Sequence, residues 1–141
     1  MTKYQELVEN AEKTTKLLNN LKLMISVDFV LKLCQALDCE TDNIEVEFGR
    51  PKYLDRNKML NWDFTLVINV LSGEKKLRFP LDLSLSFIKD TEDTSSLSIT
   101  YYSDKMSNPP KGLIWSFGKP IDDLADLVFT EIKKKIDRCL F

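Results

Sequence analysis

The sequence predicts an α+β fold: two N-terminal helices, a four- to five-stranded antiparallel meander sheet with one buried face, and a C-terminal helix. Three observations predict it. Apolar residues recur at helical spacing from Tyr4 to Leu37, at every second position from Ile44 to Tyr101, and at helical spacing again from Ile121 to Cys139. A chain of 141 residues with 43% hydrophobic content fits one domain, 1–141, able to bury a core without disulfides or metals.

Residues 3–19 read as the first helix. Acidic side chains come early and lysines late, as the helix macrodipole favours. Tyr4, Leu7, Ala11, Thr14, Leu18, Leu21 and Ile25 recur at a 3-4 heptad spacing, and Ala and Thr make that stripe weak. Asn19-Asn20 suits a break, and Ser26 suits the cap of a second helix, 27–38. Its expected buried face is Val27, Val30, Leu31, Cys34 and Leu37.

The period then changes to two. Ile44, Val46 and Phe48 alternate with glutamates. Trp62, Phe64, Leu66, Ile68 and Val70 form a second alternating run, and the odd positions from Leu77 to Phe87 a third. Leu97, Ile99 and Tyr101 make a fourth, and Leu113, Trp115 and Phe117 a shorter fifth within 112–117. Alternation of this kind marks an antiparallel sheet with one face in the core. Pro80 cannot donate to a ladder and marks an edge or a bulge, although the alternation continues past it. In the last helix Pro120 suits the first turn. Asp122, Asp123 and Asp126 lie near the positive end, and Lys133, Lys134, Lys135 and Arg138 near the negative end.

The hairpin between the second and third strands admits two registers. Centring it on Ser72-Gly73 puts Trp62 opposite Leu83 and Asp63 opposite Asp82. Centring it on Gly73-Glu74 shifts each partner by two, and both keep the apolar residues on one face. In the first register Asp63, Asp82 and Asp104, with nearby hydroxyls, are candidate oxygen ligands for Mg²⁺ or Ca²⁺. Carboxylates turned apart into water are the plainer expectation.

Residues 50–58 read as a loop rich in cations: Arg50, Lys52, Arg56 and Lys58 with Tyr53 among them. Such a loop can hold a phosphate or stack on a base, or simply neutralise the acidic segment before it. Arg78, the outward Tyr102, and Met106 in the loop 103–111 complete the candidate binding residues.

Absences narrow the function. The chain has no histidine, so catalytic triads and histidine-ligated metal sites are impossible within it. Its four glycines never approach a phosphate-cradling spacing. A net charge of −2 supplies no field for nucleic acid or an anionic membrane. No apolar run is long enough to span a bilayer, and the polar start MTKYQELVENAEK is unlike a secretory signal. Three cysteines, an odd number, suggest reduced thiols and a cytoplasmic setting, with Cys34 a small core residue.

The expectation is therefore a non-catalytic cytosolic protein-binding module that uses no cofactor. An inhibitor, an immunity-type protein or an adaptor fits, including one encoded by a phage or mobile element. Its partner is another protein. A five-strand sheet is about 20 Å wide and takes roughly two helices, so one of three apolar stripes is surplus and offers a homodimer seam through the N-terminal helix. If the first two helices form one bent element along the sheet, no stripe is surplus. Two alternatives differ in class: a small-ligand or nucleotide binder using residues 50–58, Arg78 and the outer sheet face, and a carboxylate-metal hydrolase.

Overall fold

A computed structural model describes residues 2–54, 59–89, 95–104 and 111–140. The fold is α+β. Five strands form one sheet in the order β1 (Ile44–Leu54), β2 (Met59–Ser72), β3 (Lys75–Lys89), β4 (Ser95–Asp104) and β5 (Lys111–Ser116), each antiparallel to its neighbour. Helices at both chain ends pack on one face.

The N-terminal helical region is continuous where two helices were expected. α1 (Lys3–Leu23) passes through a π-helical turn, Met24–Phe29, directly into α2 (Val30–Leu37). Asn19-Asn20 does not break it, and Ser26 lies inside the helical run instead of capping it. Helical breakers this weak yield to tertiary burial: Leu21, Ile25 and Phe29 are all in the core. The wide π turn also rotates the buried face. Phe29, Val30, Leu33 and Cys34 point inward, whereas Val27 and Leu31, expected inside, face solvent. α2 ends at Asp38 with φ 55°, left-handed, and the Cys39 N–H closes the last turn on the Cys34 carbonyl.

β2 and β3 pair without interruption from Met59–Ile88 to Ser72–Lys75, which places Gly73-Glu74 at the turn. Gly73 has φ 63°, the left-handed value that the first central residue of a type II′ hairpin requires. The register centred on Ser72-Gly73 is thereby overturned: Trp62 faces Leu85, and Asp63 faces Ser84. Pro80 causes no bulge. β4 pairs with β3 only over Ser84–Lys89, so the first half of β3 has an open edge. There the Pro80 carbonyl accepts from Lys135 Nζ, and its missing N–H removes no ladder bond.

β1 runs to Leu54, so Arg50, Lys52 and Tyr53 belong to a strand where a loop was expected. A bulge between Phe48 and Pro51 re-aims its end, and Trp62 Nε1 donates to the Gly49 carbonyl at 2.7 Å. Near the sheet's other edge Gly112 pairs with Tyr102, and a Cβ at 112 would sit 2.2 Å from the Tyr101 carbonyl oxygen. Backbone must move to admit it. Gly112→Ala is therefore expected to cost about 1–3 kcal/mol, read by denaturant unfolding. An unchanged midpoint would refute the close approach.

α3 (Asp122–Leu140) lies beside the α2 segment, burying Leu124, Ala125, Val128 and Ile132. Between them and the sheet sit the aromatic contacts Phe29–Trp115 (5.6 Å), Phe29–Phe64 (6.3 Å) and Phe48–Trp62 (4.9 Å). Leu17, Leu18 and Leu21 of α1 also pack on this core, whereas residues 2–16 are exposed.

Candidate functional site

The part of α1 before Leu17 has no buried residue. Tyr4 is 74% exposed, Leu7 65% and Val8 38%. With Ala11, Thr14, Thr15 and Leu18 they lie on one side of the helix by its 3.6-residue period. Residues 3–16 thus form an arm roughly 20 Å long at 1.5 Å per residue. Local features hold it helical. Thr2 Oγ1 accepts from the Gln5 N–H at 3.1 Å, and Gln5 Oε1 accepts from the Thr2 N–H at 2.9 Å. Glu9–Lys13 and Glu12–Lys16 are spaced i, i+4 in the favourable order. A helix this short is marginal alone. At the arm's base the Lys22 ammonium stands 5.7 Å from the Phe48 ring centroid and 5.5 Å from that of Trp62, anchoring the helix to the bulged end of β1.

Among the described residues no helix covers the outer face of the sheet. Cross-strand rows there read Lys52–Asn61–Ser86–Ser98–Ser116 and Asp63–Ser84–Thr100–Ile114. Ser86 Oγ donates to Asn61 Oδ1, and Thr65 Oγ1 donates to Asp82 Oδ1, each at 3.0 Å. The face is a hydroxyl-lined surface already partly satisfied by its own bonds.

Among the described residues, Arg78 does not converge with Arg50 and Lys52. Lys52 is opposite Asn61, whereas Arg78 is opposite Asn69, roughly 27 Å away at the strand rise. Arg78 is engaged elsewhere, reaching Glu45 at 3.0 Å and Glu47 at 3.5 Å across β2. Its path crosses β2 near Val67 and Asn69, both buried on this outer face. Tyr53 and Tyr102 are exposed on strands far apart in the sheet order. Arg56, Lys58 and Met106 lie outside the described residues, as does the Asp104 side chain. In the observed register Asp63 and Asp82 are diagonal, not opposite. Among the described residues no three Cys, Asp or Glu side chains gather where they could hold a metal ion.

Two groups in the interior have shifted acidities. Burial, then the neighbouring Cys39 thiol, pushes the Cys34 thiol up to about 12. Burial, then the charge and hydrogen bond of Glu131, raises Tyr101. A thiol held protonated is a poor nucleophile. In a Cys39→Ser, Cys139→Ser background, iodoacetamide at pH 8.5 is expected to leave Cys34 unmodified until guanidinium unfolds the chain. Rapid native alkylation would contradict its burial.

A cleft of about 550 Å³ opens at the far end of the sheet from the arm, between α2, the end of β2 and α3. Leu37, Ile68, Val70, Phe129 and Ile132 line it, with Lys133 supplying charge. The exposure of Phe129 follows from its place off the apolar stripe of α3, whereas the cleft does not follow from the sequence, because it depends on how α2, β2 and α3 meet. No helix among the described residues is long and apolar enough to cross a membrane. No family model, curated protein or solved structure matches the chain.

Proposed function

We propose that this chain is a non-catalytic protein-binding module that engages another protein, or a second copy of itself, through the N-terminal arm of α1. The observation that carries the reading is an amphipathic helix whose apolar side from Tyr4 to Thr15 is exposed among the described residues. Such a side is a ready surface for helix-in-groove or helix–helix recognition. Arg78, committed to Glu45 and Glu47 and distant from Arg50 and Lys52, lends less to a nucleotide site. The diagonal Asp63 and Asp82 lend less to a carboxylate-metal site.

The test compares three full-length proteins as bait in the source cells: the parent, Leu7→Asp/Val8→Asp, and Arg50→Glu/Lys52→Glu. The arm pair is expected to lose the bound protein, whether another species or a tagged second copy. The β1 pair is expected to keep it. Melting temperatures of all three should agree within about 2 °C, because these are surface positions worth only tenths of a kcal/mol each. Full retention of partners by the arm variant would remove the proposal.

A further inference from the structure

We infer that Cys34 and Cys39 are a redox pair: a small hydroperoxide oxidises Cys39, and Cys34 closes an intramolecular disulfide onto it. The pair lies at the end of α2, and the inference does not depend on what the arm binds.

The geometry comes from how α2 stops. Asp38 takes a left-handed φ of 55° and ψ of 47°, and the Cys39 N–H donates to the Cys34 carbonyl at 3.0 Å. A left-handed residue followed by a hydrogen bond spanning six residues is the Schellman stop, in which the side chains at its two ends, here 34 and 39, meet. From standard bond lengths, the path between the two Cα atoms through that hydrogen bond is about 7 Å if drawn straight. Bent at the carbonyl and the amide, it falls within the roughly 4.4–6.8 Å that a disulfide spans. The two thiols are in hydrogen-bonding contact. The chain beyond them is held as well, since the Glu40 N–H donates to Asn43 Oδ1 at 3.0 Å and Ile44 begins β1. Closure therefore asks for side-chain rotation and not for backbone movement.

Exposure sorts the roles. Cys39 is half-buried and lines the cleft between α2, β2 and α3, within reach of a molecule as small as hydrogen peroxide. Cys34 is 3% exposed, and burial holds its thiol protonated. Cys39 thus reacts first. Its thiolate, the proton released to water, attacks a peroxide oxygen and breaks the O–O bond. The products are the Cys39 sulfenic acid and hydroxide, which takes the proton back as water. The Cys34 sulfur then attacks the Cys39 sulfur and breaks the S–O bond, and the departing hydroxide leaves with the Cys34 proton as a second water. Two thiols and one peroxide give one disulfide and two waters. The small thiolate fraction of Cys34 slows this second step, and contact with its target offsets the loss.

The test uses the full chain, reduced, treated natively with hydrogen peroxide, then unfolded in guanidinium, alkylated and digested with trypsin. Cys34 and Cys39 share the tryptic peptide 33–52, and Cys139 lies outside it. That peptide is expected to lose two hydrogens and escape alkylation, and dithiothreitol should restore both thiols. Cys34→Ser should stop at a Cys39 sulfenic acid that dimedone traps, whereas Cys39→Ser should leave Cys34 reduced. In a glutathione redox buffer the native chain is expected to favour the bond at least roughly tenfold more than the chain in guanidinium. Equal preference would place the bond in the short segment alone, not in the fold, and overturn the inference. So would a Cys39–Cys139 link, a link between two chains, or Cys39 driven to sulfinic acid while Cys34 stays reduced. Oxidation of Cys34 without Cys39, or of neither thiol, would overturn it equally.

Discussion

Phe29→Ala lowers the unfolding free energy by about 3–5 kcal/mol, the range for deleting a fully buried aromatic ring. Against the roughly 5–15 kcal/mol typical of a small domain, that is about a fifth of the total or more. Phe29 has no exposed surface and contacts two strands at once, Phe64 on β2 and Trp115 on β5. Both contacts come from the π-helical turn, so Phe29 is the point at which the N-terminal helix grips the sheet. The measurement is guanidinium unfolding followed by tryptophan fluorescence, with Leu31→Ala as the control. Leu31 is two residues away on the same helix and is 46% exposed, so its truncation should cost well under 1 kcal/mol. If the two variants unfold alike, the helix does not dock as described. Trp115 adds a second tie on this side, its Nε1 donating to the Lys119 and Pro120 carbonyls at 3.1 and 3.2 Å ahead of α3.

Asn69→Val raises the stability, by about 1–3 kcal/mol. Asn69 is 3% exposed near the end of β2, and among the described residues neither its Nδ2 nor its Oδ1 has a hydrogen-bond partner. An amide taken out of water and left unpaired costs about that much. Valine removes the cost and suits a strand. At about 3 °C per kcal/mol for a chain this long, the melting temperature rises by roughly 3–9 °C. A lower melting temperature would mean that the amide is bonded, with Arg78 directly opposite as the first candidate. A buried polar group kept at a stability cost often marks function, so the arm-binding measurements belong on this variant too.

The alternation of Ile44 to Phe48, Trp62 to Val70 and Leu77 to Phe87 was legible because a pleated strand admits only two side-chain directions. Once one face is apolar, the inward set is determined. The α3 stripe from Ile121 to Ile136 was legible for the same reason at a period of 3.6. The register of the β2–β3 hairpin was not, since both registers place the same residues inward. Only the turn distinguishes them, through the positive φ that Gly73 supplies at its first central position. Asp63 opposite Asp82 was therefore a reading of the wrong register, and in the observed one the two are diagonal.

The candidate arm was half legible. Its stripe and charge order stand in the sequence from Tyr4 to Leu18, and the Thr2–Gln5 cap came from the structure. That its residues 3–16 are exposed does not, because exposure depends on where the sheet ends and on what else covers the same face. By itself, then, the sequence determined the element types, the inward faces of the strands and the absence of histidine chemistry. These are local or compositional properties. Tertiary structure alone decided that the N-terminal helix is continuous, that its π turn brings Phe29 into the core and turns Leu31 out, that Arg78 is spent on Glu45 and Glu47, and that the arm stands clear. Each of these depends on contacts between residues distant in the chain, whose energies outweigh the tenths of a kcal/mol that Asn19, Asn20 or Ser26 contributes to local preference.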